Sequence, residues 1–153
     1  MKARHPEGGT ADRMSNVDEI GDYTAELKAK EKIEPIASLL KMRLLELTPG
    51  YAKVGMELSP NHLNFTGFIF GGIIMALADQ AFAYSTNSIN FPSVASQMNI
   101  HFITGAESGD QITAECQVVK NGRRVGISEI AVTNQNGKLI AKATGTTIPV
   151  KQG

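Results

Sequence analysis

NFTGFIFGGIIMALADQAFAYS, residues Asn64 to Ser85, decides how the rest of the chain is read. The pair Gly71-Gly72 opens a run without proline and with few polar side chains. Ile73 to Tyr84 is long enough for about three helical turns. Ile73, Ile74, Met75, Leu77 and Phe82, with Ala76, Ala78, Ala81 and Ala83 between them, make that helix apolar on nearly every side. Such a helix is normally wrapped by other structure, and the alanines let strands approach closely. One charge sits inside the run, Asp79. A carboxylate among apolar neighbours is desolvated, which raises its pKa and makes it a stronger base or nucleophile. It can equally serve a structural hydrogen-bond network, and the residues of the helix alone leave both roles open.

Strand patterns surround the helix. Upstream, Met42 to Leu47 and Tyr51 to Leu58 are joined by the turn Thr48-Pro49-Gly50, where proline presets one corner and glycine relieves the next. In the second of these, Ala52, Val54, Met56 and Leu58 alternate with Tyr51, Lys53, Gly55 and Glu57, the period of a half-buried antiparallel strand. Ser59-Pro60-Asn61 ends it. Downstream, Val94 to Ile103 sets Met98, Ile100 and Phe102 on one face. Ile112 to Val119 does the same with Ile112, Ala114, Cys116 and Val118. Asn121-Gly122 and Asn136-Gly137 are hairpin signals, since asparagine and glycine tolerate positive φ. They separate Val125 to Thr133 from its neighbours, and Leu139 to Ile148 is the last strand. Ile130 and Val132 fall out of step with Val125 and Ile127, so a bulge is expected in that strand. Pro35 opens a short helix, Pro35 to Leu40. The order predicts an α+β fold, a strongly curved antiparallel sheet wrapped around one long helix.

The 153 residues fit one domain over residues 34–150, preceded by a polar arm, residues 1–33. Within the arm, Asp18 to Lys32 can form a helix with a thin apolar stripe of Ile20, Tyr23 and Leu27, expected to dock weakly or on a neighbouring subunit. Formal net charge is zero, so no global field draws nucleic acid or an anionic membrane. The helix is too short to span a bilayer, which takes about 20 apolar residues. The N-terminal MKARHPEGGT lacks the apolar core of a secretory leader. The single cysteine, Cys116, excludes an intrachain disulfide framework and fits a reducing compartment. A cytoplasmic protein is the expectation. His5, His62 and His101 share no ligand spacing, so no metal site is expected. A Gly-x-Ser-x-Gly elbow and a phosphate-binding loop are both missing from the sequence.

The set Asn64-x-x-Gly67-x-x-Phe70-Gly71-Gly72, with Ala78-Asp79 on the helix, resembles the signature of hotdog-fold acyl-CoA thioesterases, most of all the PaaI-like, phenylacetate-degradation branch. Pro49-Gly50-Tyr51-Ala52, Met98-Asn99-Ile100 and Gly137-Lys138-Leu139-Ile140-Ala141 extend the resemblance from about Pro35 to Val150. It implies a homodimer with sheets joined edge to edge, often paired again into a tetramer. It implies an acyl-CoA substrate, with coenzyme A as its part and no other cofactor. It further implies an active site between subunits, where Asn64 and Gly71 of one meet Asp79 of the other. The aspartate activates water or attacks the thioester, and the Gly71 amide polarises the carbonyl. The residues agree with that division of labour, because a glycine at a helix N-terminus offers free N–H donors and close access. Phe70 and Gly72 flank the same position as substrate contacts. Lys120, Arg123 and Arg124, beside the Asn121-Gly122 turn, match basic residues that meet coenzyme A phosphates in the family; an ordinary solvated hairpin is the other reading. Phe65, Phe68 and Phe91 join Phe70 as candidates to line an acyl pocket.

Two positions depart from the family pattern. Phe70 stands where a histidine is usual, and phenylalanine donates no hydrogen bond. Ala95 stands where a serine or threonine commonly positions water; Ser96 is next to it but faces the other way unless the register slips. The alternative to a thioesterase is therefore an acyl-CoA or acyl-carrier binding protein on the same fold. A hydratase ranks lower, because that chemistry normally needs a histidine beside the acid.

Overall fold

The structure is a computed structural model and describes residues 20–151. Residues 1–19, the larger part of the expected arm, lie outside the described residues. Two short helices come first, α1 (Thr24–Glu31) and α2 (Pro35–Leu40). The hairpin β1 (Arg43–Thr48) and β2 (Tyr51–Glu57) follows, then a single tight turn at Pro60–His62. The long helix α3 spans Gly71–Asn87. It leads to β3 (Ser93–Phe102), β4 (Gln111–Asn121), β5 (Gly126–Thr133) and β6 (Leu139–Pro149). All six strands form one antiparallel sheet in the order β1-β2-β4-β5-β6-β3. The expected α+β architecture, with a sheet bent around one helix, is the observed one. Among the described residues, no helix is long and apolar enough to cross a membrane.

The core lies between α3 and the concave face of the sheet. Leu77, Ala78, Ala81 and Phe82 are fully buried there against Val54, Met56, Ile112, Ala114, Ile130 and Val132. Each large side chain among them contributes roughly 1.5–3 kcal/mol by leaving water. Sheet and helix meet closely at Gly145, where a Cβ would lie 2.4 Å from Phe82 Cζ, so only glycine leaves room for that ring.

The helix is not enclosed on every side, as its composition predicted. Gly72, Met75, Asp79 and Ala83 lie on one exposed stripe, because the curved sheet covers only the opposite half of α3. β3 is an edge strand whose far side has no partner in the chain, and most of its residues are exposed.

Two local readings are corrected. β5 alternates without interruption, Ser128, Ile130 and Val132 inward and Ile127 and Glu129 outward. The irregularity sits on the neighbouring strands instead: Val118 pairs with Ser128 and Lys120 with Ile127, leaving Val119 as the extra residue of β4. A second break falls at Ile140, between the pairs Val132–Ala141 and Thr133–Leu139. The β4–β5 turn also differs from the sequence reading. Asn121 pairs with Gly126, and the Gly122 amide donates to the Val125 carbonyl at 3.1 Å, so Arg123 and Arg124 form the tip. Gly122 does not adopt positive φ, whereas Gly50 (φ 78°) and Gly137 (φ 74°) do.

α1 rests on its own chain. Leu27 is buried, the Tyr23 amide donates to the Ser88 carbonyl at 2.9 Å, and the Tyr23 and Phe91 rings lie 5.7 Å apart.

Candidate active site

The loop before α3 is built by short-range hydrogen bonds. His62 Nδ1 accepts the Ser59 amide at 3.0 Å, and the Phe70 amide donates to the His62 carbonyl at 2.8 Å. His62 is thus a structural cap and does not replace the absent imidazole. Asn64 Oδ1 accepts from the Thr66 amide (2.9 Å), the Thr66 hydroxyl (2.6 Å) and the Phe68 amide (3.2 Å). The convergence of three donors fixes which end of the Asn64 amide is oxygen. Its NH₂ group has no partner among the described residues and is the end left for a ligand.

The chain enters α3 through Phe70 in extended conformation, and no side chain caps the helix. The first N–H groups of a helix have no partner within it. Ile73 N–H turns back to the Phe70 carbonyl at 3.0 Å, which leaves the Gly71 and Gly72 amides as free donors at the positive end of a 17-residue helix. Phe70 packs over Gly72: a Cβ there would meet the ring at 2.3 Å. Phe102 lies beside Gly71, 3.2 Å from where its Cβ would be.

Asp79 occurs two turns further on, on the exposed stripe with Gly72, Met75 and Ala83. It has no hydrogen bond or ion pair among the described residues. Its residue surface reaches solvent, while the carboxyl itself is partly desolvated by burial. That partial burial raises its pKa above the ordinary 3.8. A carboxylate held without a partner in apolar surroundings is a competent base or nucleophile.

One chain does not bring all these groups together. Gly71 and Asp79 are separated by eight residues of helix, about 12 Å along the axis, too far to act on one carbonyl. Lys120, Arg123 and Arg124 are exposed and pair with no acid among the described residues, but they sit beyond the other end of α3, where Asn121 Oδ1 accepts from Asn90 Nδ2 at 3.4 Å. At Ala95 the register does slip: Ala95 pairs with Thr147 and Gln97 with Thr146, leaving Ser96 as the bulged residue. Ser96 Oγ turns back to the Thr146 carbonyl at 3.1 Å. Cys116 is buried, its thiol pushed up to about 11 by that burial, so it is a packing residue.

The family follows from comparison with known proteins. The family model of the thioesterase superfamily matches residues 66–141. The acyl-coenzyme A thioesterase PaaI of Escherichia coli is 35% identical over 109 residues, 71% of this chain and 78% of that protein. The chain belongs to the thioesterase superfamily. Within the superfamily its place is the PaaI-like branch with the hotdog fold: the solved structure of E. coli PaaI superposes with a TM-score of 0.80 at 30% identity, covering 85% of this chain and 96% of that one. A protein from Streptococcus mutans, solved bound to acetyl CoA, is 29% identical with a TM-score of 0.69, covering 72% of this chain and 90% of that one.

The sequence reading missed one polar cluster. Glu34 Oε2 accepts from Tyr84 OH at 2.5 Å and from Gln80 Nε2 at 2.8 Å. It borders a cavity of about 360 Å³ between α1, α3 and the start of β3. Phe91 lines this cavity, whereas Phe65, Phe68 and Phe70 stand exposed in the loop before α3. No sequence period links Glu34 to a tyrosine fifty residues away, although a glutamate just before Pro35 and a tyrosine on an apolar helix were both visible.

Proposed function

We propose that this protein is an acyl-CoA thioesterase, hydrolysing an acyl-CoA to the free acid and coenzyme A, and that Asp79 supplies the base or nucleophile. The observation that carries the reading is the pairing, on one helix, of uncapped Gly71-Gly72 amides with a partnerless, partly desolvated Asp79. As a base, Asp79 takes a proton from water while the hydroxyl adds to the thioester carbonyl carbon. The oxyanion forms against the Gly71 N–H, and the donor nearest a developing oxyanion is typically worth about 100- to 1000-fold in rate. The C–S bond then breaks and the thiolate takes up the proton. As a nucleophile, Asp79 adds to the carbonyl itself, expels the thiolate, and leaves an anhydride that water hydrolyses. The free Asn64 NH₂ orients the water or the carboxylate.

The distance between Gly71 and Asp79 supports a site shared by two subunits. Two β3 edges joined antiparallel bring the Phe102 end of one chain, with its Gly71, to the Ser93 end of the other. That places one subunit's helix start near the other's Asp79, and nearer its Lys120, Arg123 and Arg124, whose charges suit the phosphates of coenzyme A. A homodimer, paired again into a tetramer, acting in the cytoplasm with no cofactor beyond the substrate's own coenzyme A, completes the reading. Residues 34–150 form the thioesterase unit and residues 1–33 the arm.

The second reading is a binding protein that does not hydrolyse. It is favoured by Phe70, whose ring lies over Gly72 and offers no hydrogen bond where the family places histidine. Release of free thiol from short, long and aromatic acyl-CoAs separates the two. Turnover establishes the thioesterase; coenzyme A binding with no turnover at high protein concentration establishes the binding protein.

A further inference from the structure

The cavity beside Glu34 begins one helical turn beyond Asp79. Ala83 is one turn beyond Asp79 on the same exposed stripe, about 6 Å along the helix, and forms one wall of the cavity. Leu27 of α1 and Phe91 form apolar walls. At about 360 Å³ the space is at the small end of ligand pockets, enough for a medium acyl chain or one ring. Its polar end is Glu34. One oxygen of that carboxylate is held by Tyr84 and Gln80, and the other has no partner among the described residues. Lys30 also lines the cavity, its ammonium 5.7 Å from the centre of the Phe91 ring and 3.4 Å from Glu26, and it forms no ion pair with Glu34 among the described residues. Tyr84 is held well above its ordinary range by burial and by Glu34, so the phenol keeps its proton and goes on donating.

We infer that this cavity receives the far end of the acyl group and that Glu34 sets its chemistry, admitting a neutral end and rejecting one that carries a carboxylate. The inference rests on the thioesterase reading. A fixed negative charge is an element of selection by repulsion: a second carboxylate brought beside Glu34 meets like charge, and Lys30, the cation in the lining, is already paired with Glu26. Neutral chains lose nothing comparable, because the apolar walls accept their methylenes.

The test compares kcat/KM for octanoyl-CoA and suberoyl-CoA, which have equal chain length and differ in a terminal carboxylate. Wild type is expected to prefer octanoyl-CoA by about 100-fold, and Glu34→Gln to narrow that gap at least about tenfold. Tyr84→Phe keeps the carboxylate and is expected to keep the gap wide. An unchanged gap in Glu34→Gln, or equal narrowing in both variants, overturns the inference while leaving the thioesterase intact. Failure of wild type to hydrolyse either thioester overturns the thioesterase reading, and the inference with it.

Discussion

Gly71 and Asp79 stand on the same helix, two turns apart and about 12 Å along its axis, with the sheet covering the side away from Asp79. An amide that stabilises an oxyanion and a base that attacks the same carbonyl must both lie within a few ångströms of it. The two groups of one chain cannot do this, which is why the proposed site takes one group from each of two chains.

That geometry predicts complementation. Gly71→Pro removes the N–H donor at the first helical position, where proline is tolerated and the extended Phe70 is compatible with it. Asp79→Asn removes the base. Each variant alone is expected to lose about 100-fold or more in kcat. Mixed dimers of the two contain one intact site, and co-expression followed by thiol-release assay is expected to recover roughly half of the wild-type activity per dimer. No recovery in verified mixed dimers places both groups in one chain.

The raised pKa of Asp79 carries a stability prediction with a definite sign. A folded-state pKa above the unfolded value means that ionisation opposes folding, and the opposition vanishes as pH falls below the unfolded carboxylate value, about 4. Asp79→Asn is therefore expected to raise Tm at neutral pH, with the gain shrinking toward acid. Catalysis needs the ionised form, so wild-type kcat/KM is expected to fall with an apparent pKa above 3.8. A variant that lowers Tm at neutral pH contradicts the desolvated carboxylate.

Lys120, Arg123 and Arg124 present three cations around one hairpin tip, with no acidic partner among the described residues. Exposed charge pairs are each worth about 0.2–1 kcal/mol and are screened by salt. Replacing all three with alanine is expected to raise KM for acyl-CoA about tenfold at low salt, with kcat changed less. The difference from wild type shrinks as ionic strength rises. A KM unchanged at low salt makes the tip an ordinary solvated hairpin.

Much of this was legible in the sequence for physical reasons. Pro35 at a first turn, Pro49-Gly50 at a hairpin and an apolar run opened by Gly71-Gly72 are local signals, and the structure follows each of them. The bulges at Val119, Ile140 and Ser96 were not legible, because an extra residue is defined by the partner strand. The exposed stripe of α3 was hidden for a related cause: composition says that a helix is apolar, and only the sheet's curvature says which half it covers. The Asn64 hydrogen bonds show the same limit within the site. Its side chain holds the loop through its oxygen, as a turn residue would, while its NH₂ group remains free.

The role of Asp79 is tested most directly by the rate of coenzyme A release from an acyl-CoA that wild type hydrolyses, measured side by side with Asp79→Asn. In the variant kcat is expected to collapse by at least about 100-fold, with acyl-CoA still bound. Equal turnover by the two proteins would contradict that role.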